Sequence, residues 1–356
     1  MLPRMPGTMS DIARDLKVSV VTVSKVLRNR GNISAATRAR VLKRAKELNY
    51  QPNWIARSLV TRRTFTVGLL LPDFTHPFFA EVAKSIAETV RPHGYHVIIS
   101  YFEEDSGIET KEAELLVARQ VDGLIIASAQ TSRTGFQRIR QGKIPLVLID
   151  RQVPNVKAPF VGTDHRAIGR LATEHLIERG CRCIAHLRGP AIRIAADRLA
   201  GYRAALRAHR LSQSPQYVIP ASYADSTGYE AMRKLLRVNP PPDGVFCYND
   251  PVAIGAMKAI RDAGLSIPDD IAVVGAGNVH YSDVLAVPLT TVDQGAREIG
   301  HQAAQILIDQ MEGSRKAGRD VLIPPKLVVR QSTSGRRTMQ MPAFPSLHSV
   351  KDITAR

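Results

Sequence analysis

The chain has 356 residues, of which 44% are hydrophobic and 23% are charged, and it contains three cysteines. This length suffices for two or three domains with separate cores, and the composition excludes a wholly disordered chain and a disulfide framework. No apolar run reaches the roughly 20 residues of a membrane-spanning helix, and the first residues lack an apolar signal core, so we expect a cytoplasmic protein.

The positive charge is concentrated near the N-terminus. Of the net charge of +17, residues 1–64 supply +11, because they hold 14 Lys and Arg against 3 Asp and Glu. Residues 65–335 hold 31 Lys and Arg against 28 Asp and Glu and supply only +3 of the net charge. A compact basic segment beside a nearly neutral body is typical of a module that binds a polyanion such as DNA. From the charge alone, the basic segment could also be a positively charged surface that is exposed to solvent and binds no polyanion.

Residues 8–49 show helical spacing and no strand pattern. Thr8 and Asp11 form a capping-box pattern that starts a first helix over 10–16. Ser19 is a suitable N-cap for a second helix over 20–28, and Ser34 for a third. Apolar residues recur at helical spacing around the third helix, at Ile33, Val41, Leu42, Ala45 and Leu48. Two short helices joined by a tight turn, with a third packed across them, predict a helix-turn-helix.

The second helix enters the major groove in such an arrangement. Val23, Val26 and Leu27 share one face and should pack inward. We expect Val20 and Val21 to contact thymine methyl groups and Lys25 to donate to guanine, while hydroxyl groups bind phosphates. The residues assigned to DNA in this segment are Ser19, Val20, Val21, Thr22, Ser24, Lys25, Arg28, Asn29, Ser34 and Thr37. A structural helical bundle with a coincidental basic face is the alternative, although burial does not explain two outward valines.

A connector over 51–63 follows the three helices. Pro52 should end the third helix and allow a short fourth helix that reaches Leu59. An isolated helix of about two turns is marginal in water, so we expect this one to need a partner.

From Thr64 onward, continuous apolar runs alternate with amphipathic stretches. This alternation is typical of parallel sheets covered by helices on both faces. We predict strands over 66–72, 96–101, 123–128, 145–150, 160–164, 183–189, 244–249, 271–275 and 289–293, and helices that include 77–93, 167–179, 197–209, 251–263 and 296–312. About 270 residues exceed one doubly wound sheet, so the predicted fold class is α/β with two lobes behind a helix-turn-helix head.

The predicted domains are the head at 1–50, the hinge at 51–63 and the core at 64–335. Lobe 1 takes about 64–161 and 291–321, and lobe 2 takes about 162–290 and 322–335. Residues 336–356 lack periodicity and are predicted to be a disordered tail. Because this tail has no heptad repeat, a tetramer built on a C-terminal coiled coil is disfavoured.

A series of motifs runs through the chain in a fixed order. It begins with the run from Met9 to Leu27 and with Leu48-Asn-Tyr-Gln-Pro-Asn. It continues with Gln120-Val-Asp-Gly-Leu-Ile, Leu148-Ile-Asp-Arg, Arg198-Leu-Ala-Gly-Tyr, Asn249-Asp-Pro-Val-Ala-Ile-Gly-Ala-Met and Pro288-Leu-Thr-Thr-Val-Asp-Gln. In this order the motifs resemble those of the LacI/GalR family of bacterial transcriptional regulators.

The resemblance implies a repressor that binds a palindromic DNA operator as a homodimer, with the helix over 79–91 in the dimer interface. It implies a core like that of the periplasmic sugar-binding proteins, which receives a small effector, a sugar or related metabolite, between its lobes. It also implies that the hinge helix folds on the operator, where Leu59 wedges into the minor groove. Asn53, Ala56 and Arg57 would line that groove, and Tyr50 would touch the DNA backbone. Trp54 is expected to pack the hinge against its mate.

The implied effector site lies at the carboxyl ends of the core strands, where open α/β sheets bind ligands. Its candidate residues are Asp73, Phe74, His76, Phe78, Phe79, Asp150, Arg198, Tyr223, Asn249, Asp250 and Asn278. The alternative role of the aromatic residues is packing in the core of a lobe, and the alternative role of Asp250 is that of a helix cap. Sugar-responsive relatives usually carry Gly-(Phe/Tyr)-Asp where this chain has Gly275-Ala-Gly277. A non-sugar effector, a different sugar pose and no effector all stay open.

Two other classes of protein fit less well. Gly275-Ala-Gly277 resembles a dinucleotide loop, but His280 stands where the third glycine should be. The chain has no HExxH, GxSxG or P-loop motif, and its ten histidines show no metal-ligand spacing. We therefore expect no catalysis, cofactor or metal. A solute-binding protein would need export and would have no DNA-binding head.

Overall fold

The computed structural model describes residues 7–27, 31–51, 58, 61–314 and 318–334. The chain divides into two compact units, with the boundary between Phe65 and Thr66. Within the described residues, no helix combines the length and apolar character needed to cross a bilayer.

The N-terminal unit contains the three predicted helices. They are α1 (Met9–Leu16), α2 (Val20–Leu27) and α3 (Ala35–Glu47). The capping box of Thr8 and Asp11 starts α1, and the Ser34 side chain accepts from the Thr37 N–H at the start of α3. Lys17 ends α1 in the left-handed region, at φ 54°, and so produces the tight turn that a helix-turn-helix requires.

A small apolar core holds these helices together. Ile12, Val23 and Val41 are fully buried, and Arg44 of α3 binds the Asp15 carboxylate across the unit, with Nη2 at 2.6 Å. Leu42 shares the apolar spacing of α3 but is 49% exposed, because the helix turns it away from that core. Each helix thus contributes one narrow apolar face, as a three-helix head requires.

The second unit contains two parallel sheets, as the predicted fold class requires. The first sheet has the strand order β11-β5-β4-β3-β1-β2. Its strands are β1 (Thr66–Leu71), β2 (His96–Tyr101), β3 (Gly123–Ile126), β4 (Leu146–Ile149), β5 (Phe160–Thr163) and β11 (Val321–Ile323). The helices of this lobe are α4 (Pro77–Val90), α5 (Ser106–Ala118), α6 (Gln137–Gln141) and α11 (Ala296–Met311). We call this lobe 1.

Lobe 2 is built in the same way on a sheet of order β12-β10-β9-β8-β6-β7. Its strands are β6 (Ile184–Arg188), β7 (Val218–Pro220), β8 (Gly244–Cys247), β9 (Ala272–Ala276), β10 (Thr290–Asp293) and β12 (Lys326–Val328). Its helices are α7 (His165–Glu178), α8 (Arg193–Ala208), α9 (Asp225–Leu235) and α10 (Asp250–Asp262). Strand β12 runs antiparallel to its neighbour β10, whereas the other strand pairs described in this lobe are parallel.

The chain passes between the lobes three times among the described residues: after β5, after β10 and after β11. Strand β10 pairs with β9 and β12 in lobe 2, so the return to lobe 1 follows Asp293 rather than the predicted boundary near 291. Strand β11 pairs with β5 in lobe 1, so the last passage follows Ile323 rather than 321. As in other parallel sheets, the loops after the strands of each lobe lie at one edge.

Candidate functional site

The exposed face of α2 is the first candidate site. Val20 and Val21 are 43% and 63% exposed, whereas Val23 and Val26 of the same helix are buried. Lys25 is also exposed, and Thr22 and Ser24 are half-buried. Helix α2 therefore presents apolar and cationic side chains to solvent at its N-terminal end, where a recognition helix meets base edges.

The hydroxyl groups assigned to phosphate also have local partners. Ser19 Oγ accepts from the Thr22 N–H at 3.0 Å and lies 2.9 Å from Thr22 Oγ1. Ser34 Oγ accepts from the Thr37 N–H at 3.3 Å and donates to Thr37 Oγ1 at 2.9 Å. These pairs begin α2 and α3, so they fix the helix ends whose remaining N–H groups can face an anion.

Several residues assigned to DNA lie outside the described residues: Arg28, Asn29, Asn53, Ala56, Arg57 and Leu59, together with Trp54. Tyr50 is described and half-buried, and its ring packs against the apolar core of the head.

The second candidate site is the inter-lobe cleft, which we define by the loops after β1, β2 and β4 of lobe 1 and after β7, β8 and β10 of lobe 2. His76, at the start of α4, lies in this cleft, where its Nδ1 accepts from the Phe78 N–H at 3.3 Å. Asn249, at the start of α10, accepts from the Val252 N–H at 2.8 Å and donates to the Tyr223 carbonyl at 3.0 Å. Two helix caps, one from each lobe, therefore stand at the cleft.

A cluster of charged side chains is buried at the base of the cleft. Arg198 is 3% exposed; Nη1 donates to the Tyr248 carbonyl, and Nη2 donates to Gln294 Oε1 at 2.6 Å. Its guanidinium also lies over the Tyr248 ring, 4.8 Å from the centroid. Asp150 is 6% exposed, and its carboxylate lies 3.8 Å from His165 Nε2. Burial raises the pKa of the Asp150 carboxyl and lowers the pKa of His165.

Three nitrogen atoms of this cluster are buried without a hydrogen-bond partner among the described residues: Arg151 Nε, His165 Nε2 and Arg198 Nε. Buried polar atoms are normally paired, so these three nitrogens, two of them within 4 Å of the Asp150 carboxylate, mark a place where polar groups of a ligand or water fit.

The packing of two helices fixes Arg198 in place. A Cβ on Gly169 of α7 would lie 2.0 Å from the Arg198 carbonyl oxygen, so only glycine allows α7 and α8 to approach this closely. His165 begins α7, and its Nδ1 lies 3.3 Å from Arg198 Nη2. The close crossing therefore brings both side chains to the same end of lobe 2.

The remaining predicted cleft residues have other surroundings. Asp73 is exposed and accepts from Thr75 N–H at 2.7 Å, while Phe74 is 49% exposed and packs edge-on against Tyr101. Phe78 and Phe79 are 5% and 7% exposed, which matches the lobe-core alternative.

Asp250 and Asn278 have several hydrogen-bond partners within lobe 2. Asp250 is fully buried, and its carboxylate accepts from Thr291 Oγ1 at 2.5 Å, Val279 N–H at 2.9 Å and Ser282 Oγ at 3.2 Å. The side-chain amide of Asn278 donates to Asp293 at 3.0 Å and accepts from Arg330 at 2.8 Å. Both side chains thus contribute hydrogen bonds to the packing of lobe 2, and their assignment to the effector site stays a prediction.

Sequence reasoning missed several cleft residues. Glu104 follows β2 and accepts from Arg151 Nη2 at 2.6 Å and from the Tyr223 hydroxyl at 3.0 Å. Gln294 follows β10 and Tyr248 follows β8. The strand-end rule that selected Asp73 and Asp150 applies equally to Glu104, Tyr248 and Gln294, and it could have found them.

A cavity of about 500 Å³ lies away from this charged cluster. It is bounded by α4, by the loop from Gly277 to Tyr281 and by Arg297. Of the predicted effector residues it contains only Phe78, so strand-end chemistry rather than cavity volume locates the candidate effector site. Among the described residues, no group of three or more His, Cys, Asp or Glu is arranged to hold a metal ion.

Two family models match this chain. Residues 8–53 match the family model for bacterial regulatory proteins of the lacI family, and residues 173–333 match a periplasmic binding protein-like domain. The ribose operon repressor of Halalkalibacterium halodurans is 38% identical over 92% of this chain and 97% of its own.

Two solved structures are similar over most of their length. The lac repressor dimer bound to operator and the anti-inducer ONPF has a TM-score of 0.81 and 28% identity, over 92% of this chain and 99% of its own. A LacI-family regulator from Enterococcus faecium with bound ribose has a TM-score of 0.69 and 27% identity, over 75% of this chain and 98% of its own.

Proposed function

The chain belongs to the LacI family of bacterial transcriptional regulators, and from this premise we propose that it represses transcription from a two-fold symmetric operator under the control of an uncharged, hydroxyl-rich effector. The observation that carries the DNA-binding part is the exposed pair Val20 and Val21 on α2 of a strongly basic unit. Apolar side chains held outward at a recognition helix N-terminus suit thymine methyl groups. Such a protein acts where the bacterial chromosome lies, in the cytoplasm at the nucleoid.

A dimer follows from the size of one head. A single recognition helix contacts too few base pairs to select one site in a genome, whereas two heads on a two-fold axis read an inverted repeat. Lobe 1 offers a surface for this pairing beside the helix over 79–91. Its edge strand β2 exposes Ile99 and Tyr101, at 49% and 47%, and Phe74 packs against Tyr101. Exposed apolar edges of this kind are normally covered by a partner.

The charges in the cleft favour a neutral effector. The guanidinium groups of Arg151 and Arg198 are accompanied by the carboxylates of Glu104 and Asp150, and burial together with Arg198 keeps His165 uncharged. An anionic effector would meet two carboxylates at close range, whereas hydroxyl groups can donate to them and accept from the unpaired nitrogens. The ribose bound by the Enterococcus faecium relative is a ligand of this class.

Two experiments test the proposal. Selection of genomic DNA fragments by the full-length protein should recover an inverted repeat. Calorimetric titration should detect free ribose or another neutral sugar but not its phosphate ester, and Arg198→Lys should weaken that binding. Arg203→Lys, at an exposed position of the same helix, is the matched control. Tighter binding of the phosphate ester than of the free sugar would contradict a neutral effector.

A further inference from the structure

Glu104 is held in an unusual backbone conformation at the rim of the cleft. It adopts φ +61°, and its neighbour Glu103 adopts φ +52°, a region that residues other than glycine seldom occupy. Strained backbone of this kind persists where surrounding contacts fix it, and it is found at ligand clamps and switches.

The Glu104 carboxylate is fixed from its own lobe. Arg151 binds it with both terminal nitrogens, Nη1 at 2.5 Å and Nη2 at 2.6 Å. The side chains of Arg151 and Glu104 are 12% and 27% exposed, so water reaches this two-point ion pair only in part. The carboxylate is therefore pre-oriented before anything from lobe 2 reaches it.

A hydroxyl group of lobe 2 completes the arrangement. Tyr223 follows β7, its ring lies edge-on to Tyr248, and its hydroxyl donates to Glu104 Oε1 at 3.0 Å. Burial and the Glu104 charge raise the pKa of Tyr223, so the phenol keeps the proton it donates. The hydrogen bond thus crosses the cleft between the lobes, and its acceptor is a carboxylate oxygen that also belongs to the ion pair with Arg151.

We propose that the Glu104–Tyr223 hydrogen bond is a latch that holds the two lobes together in the effector-free protein. The Tyr223 hydroxyl has a single proton to donate, so it cannot bind Glu104 and donate to an effector at the same time. An effector to which Tyr223 donates must release the latch, and the latch therefore sets the population of open protein that is available to it. The regulatory meaning rests on the proposed function, but the existence of the latch does not.

The test measures the distance between the lobes in effector-free, DNA-free full-length protein. Spin labels on Arg140→Cys of α6 and Lys234→Cys of α9 report on lobe 1 and lobe 2, since both positions are exposed. Cys183→Ser removes the half-buried native thiol, and Cys181 and Cys247 are buried. An excess of unlabelled chain keeps label pairs within one protomer.

Tyr223→Phe removes only the hydroxyl group, and Glu104→Ala removes the acceptor. Each variant should broaden the distance distribution toward an open form and raise the ratio of open to closed protein about tenfold. The double variant should raise this ratio little further, because both substitutions remove the same hydrogen bond. Glu103→Ala is the matched control, because it alters a neighbouring exposed carboxylate with the same backbone conformation.

Unchanged distances in Tyr223→Phe with an intact circular dichroism spectrum would overturn the latch, as would an equal shift in Glu103→Ala. If Glu104→Ala fails to fold, Tyr223→Phe alone decides. No operator or effector is present, so a failure of the latch and a failure of the proposed function are separate results.

Discussion

Nδ2 of Asn249 lies 3.2 Å from Nε2 of His76, so the capping side chain of α10 in lobe 2 touches the capping side chain of α4 in lobe 1. Burial lowers the pKa of His76 to about 4, so its ring is neutral and carries one N–H. The ring can therefore accept with only one nitrogen at a time, either from the Phe78 N–H within α4 or from Asn249 across the cleft. The helix start and the inter-lobe contact are coupled through this one imidazole.

Acid should destabilise the core through its buried histidines. Burial lowers the pKa of His175 to about 4 and of His186 to about 3, against an ordinary value of 6.5. Below pH 6.5 these histidines bind protons in the unfolded chain but stay neutral in the folded chain. The free energy of unfolding therefore falls as the pH falls toward 4. Between pH 7 and pH 5 each fully buried histidine should contribute a loss of about 2 kcal/mol.

Urea unfolding at these two pH values measures the loss, and His175→Gln should reduce it. Gln can still reach Thr333, which lies 2.8 Å from the His175 ring. His209→Gln, at an exposed position, should leave the pH dependence unchanged. A His175→Gln protein with the full wild-type loss would refute the assignment.

Asp250→Asn should destabilise lobe 2 without any effector present. The carboxylate accepts three hydrogen bonds, from the loop that follows β9 and from β10. An amide offers one acceptor oxygen, so at least one buried donor loses its partner, at a cost of about 1–3 kcal/mol. Chemical unfolding monitors the change, with Asp262→Asn at an exposed position of the same helix as the control. Equal stability of the two variants would argue against the structural role.

Val21→Ala and Val23→Ala should separate DNA recognition from folding. Val21 is 63% exposed, so its truncation should leave the head folded but weaken binding to the selected operator. Val23 is fully buried beside Ile12, so its truncation should cost about 2 kcal/mol of stability. Thermal unfolding and operator titration of both variants give the comparison. If Val21→Ala kept full operator affinity, the exposed valine would have no role in base contact.

Leu59→Ala should weaken binding to the operator and spare binding to random duplex. An apolar wedge stabilises only a site that can be kinked, whereas phosphate contacts act on any sequence. Competition assays with both duplexes measure the two affinities. An equal loss on operator and random DNA would contradict the wedge.

The local parts of this fold could be predicted from the sequence because adjacent residues determine them. The capping box of Thr8 and Asp11 and the N-cap of Ser34 are patterns that join residues three positions apart. Helix α5 was missed because it buries Glu109, whose carboxylate accepts from Ser128 and Ala129 and interrupts the apolar periodicity. Strands β7, β11 and β12 have three residues each, which is too short for a period-two pattern.

The effector site could be predicted only in part for a different reason. The strand-end rule selects residues within each lobe, but it does not say which of them face each other. Glu104 and Tyr223 are 119 residues apart, and His76 and Asn249 are 173 apart. Their pairing depends on how the two lobes close, and no local pattern in the sequence encodes that geometry.

The most direct test of the regulator as a whole is the affinity of the full-length protein for its selected inverted repeat against a scrambled duplex, with and without a neutral sugar that binds it. At physiological salt we expect the inverted repeat to bind at least about 10³-fold more tightly, and the sugar to change that affinity. Equal affinity for both duplexes under every condition would contradict the account.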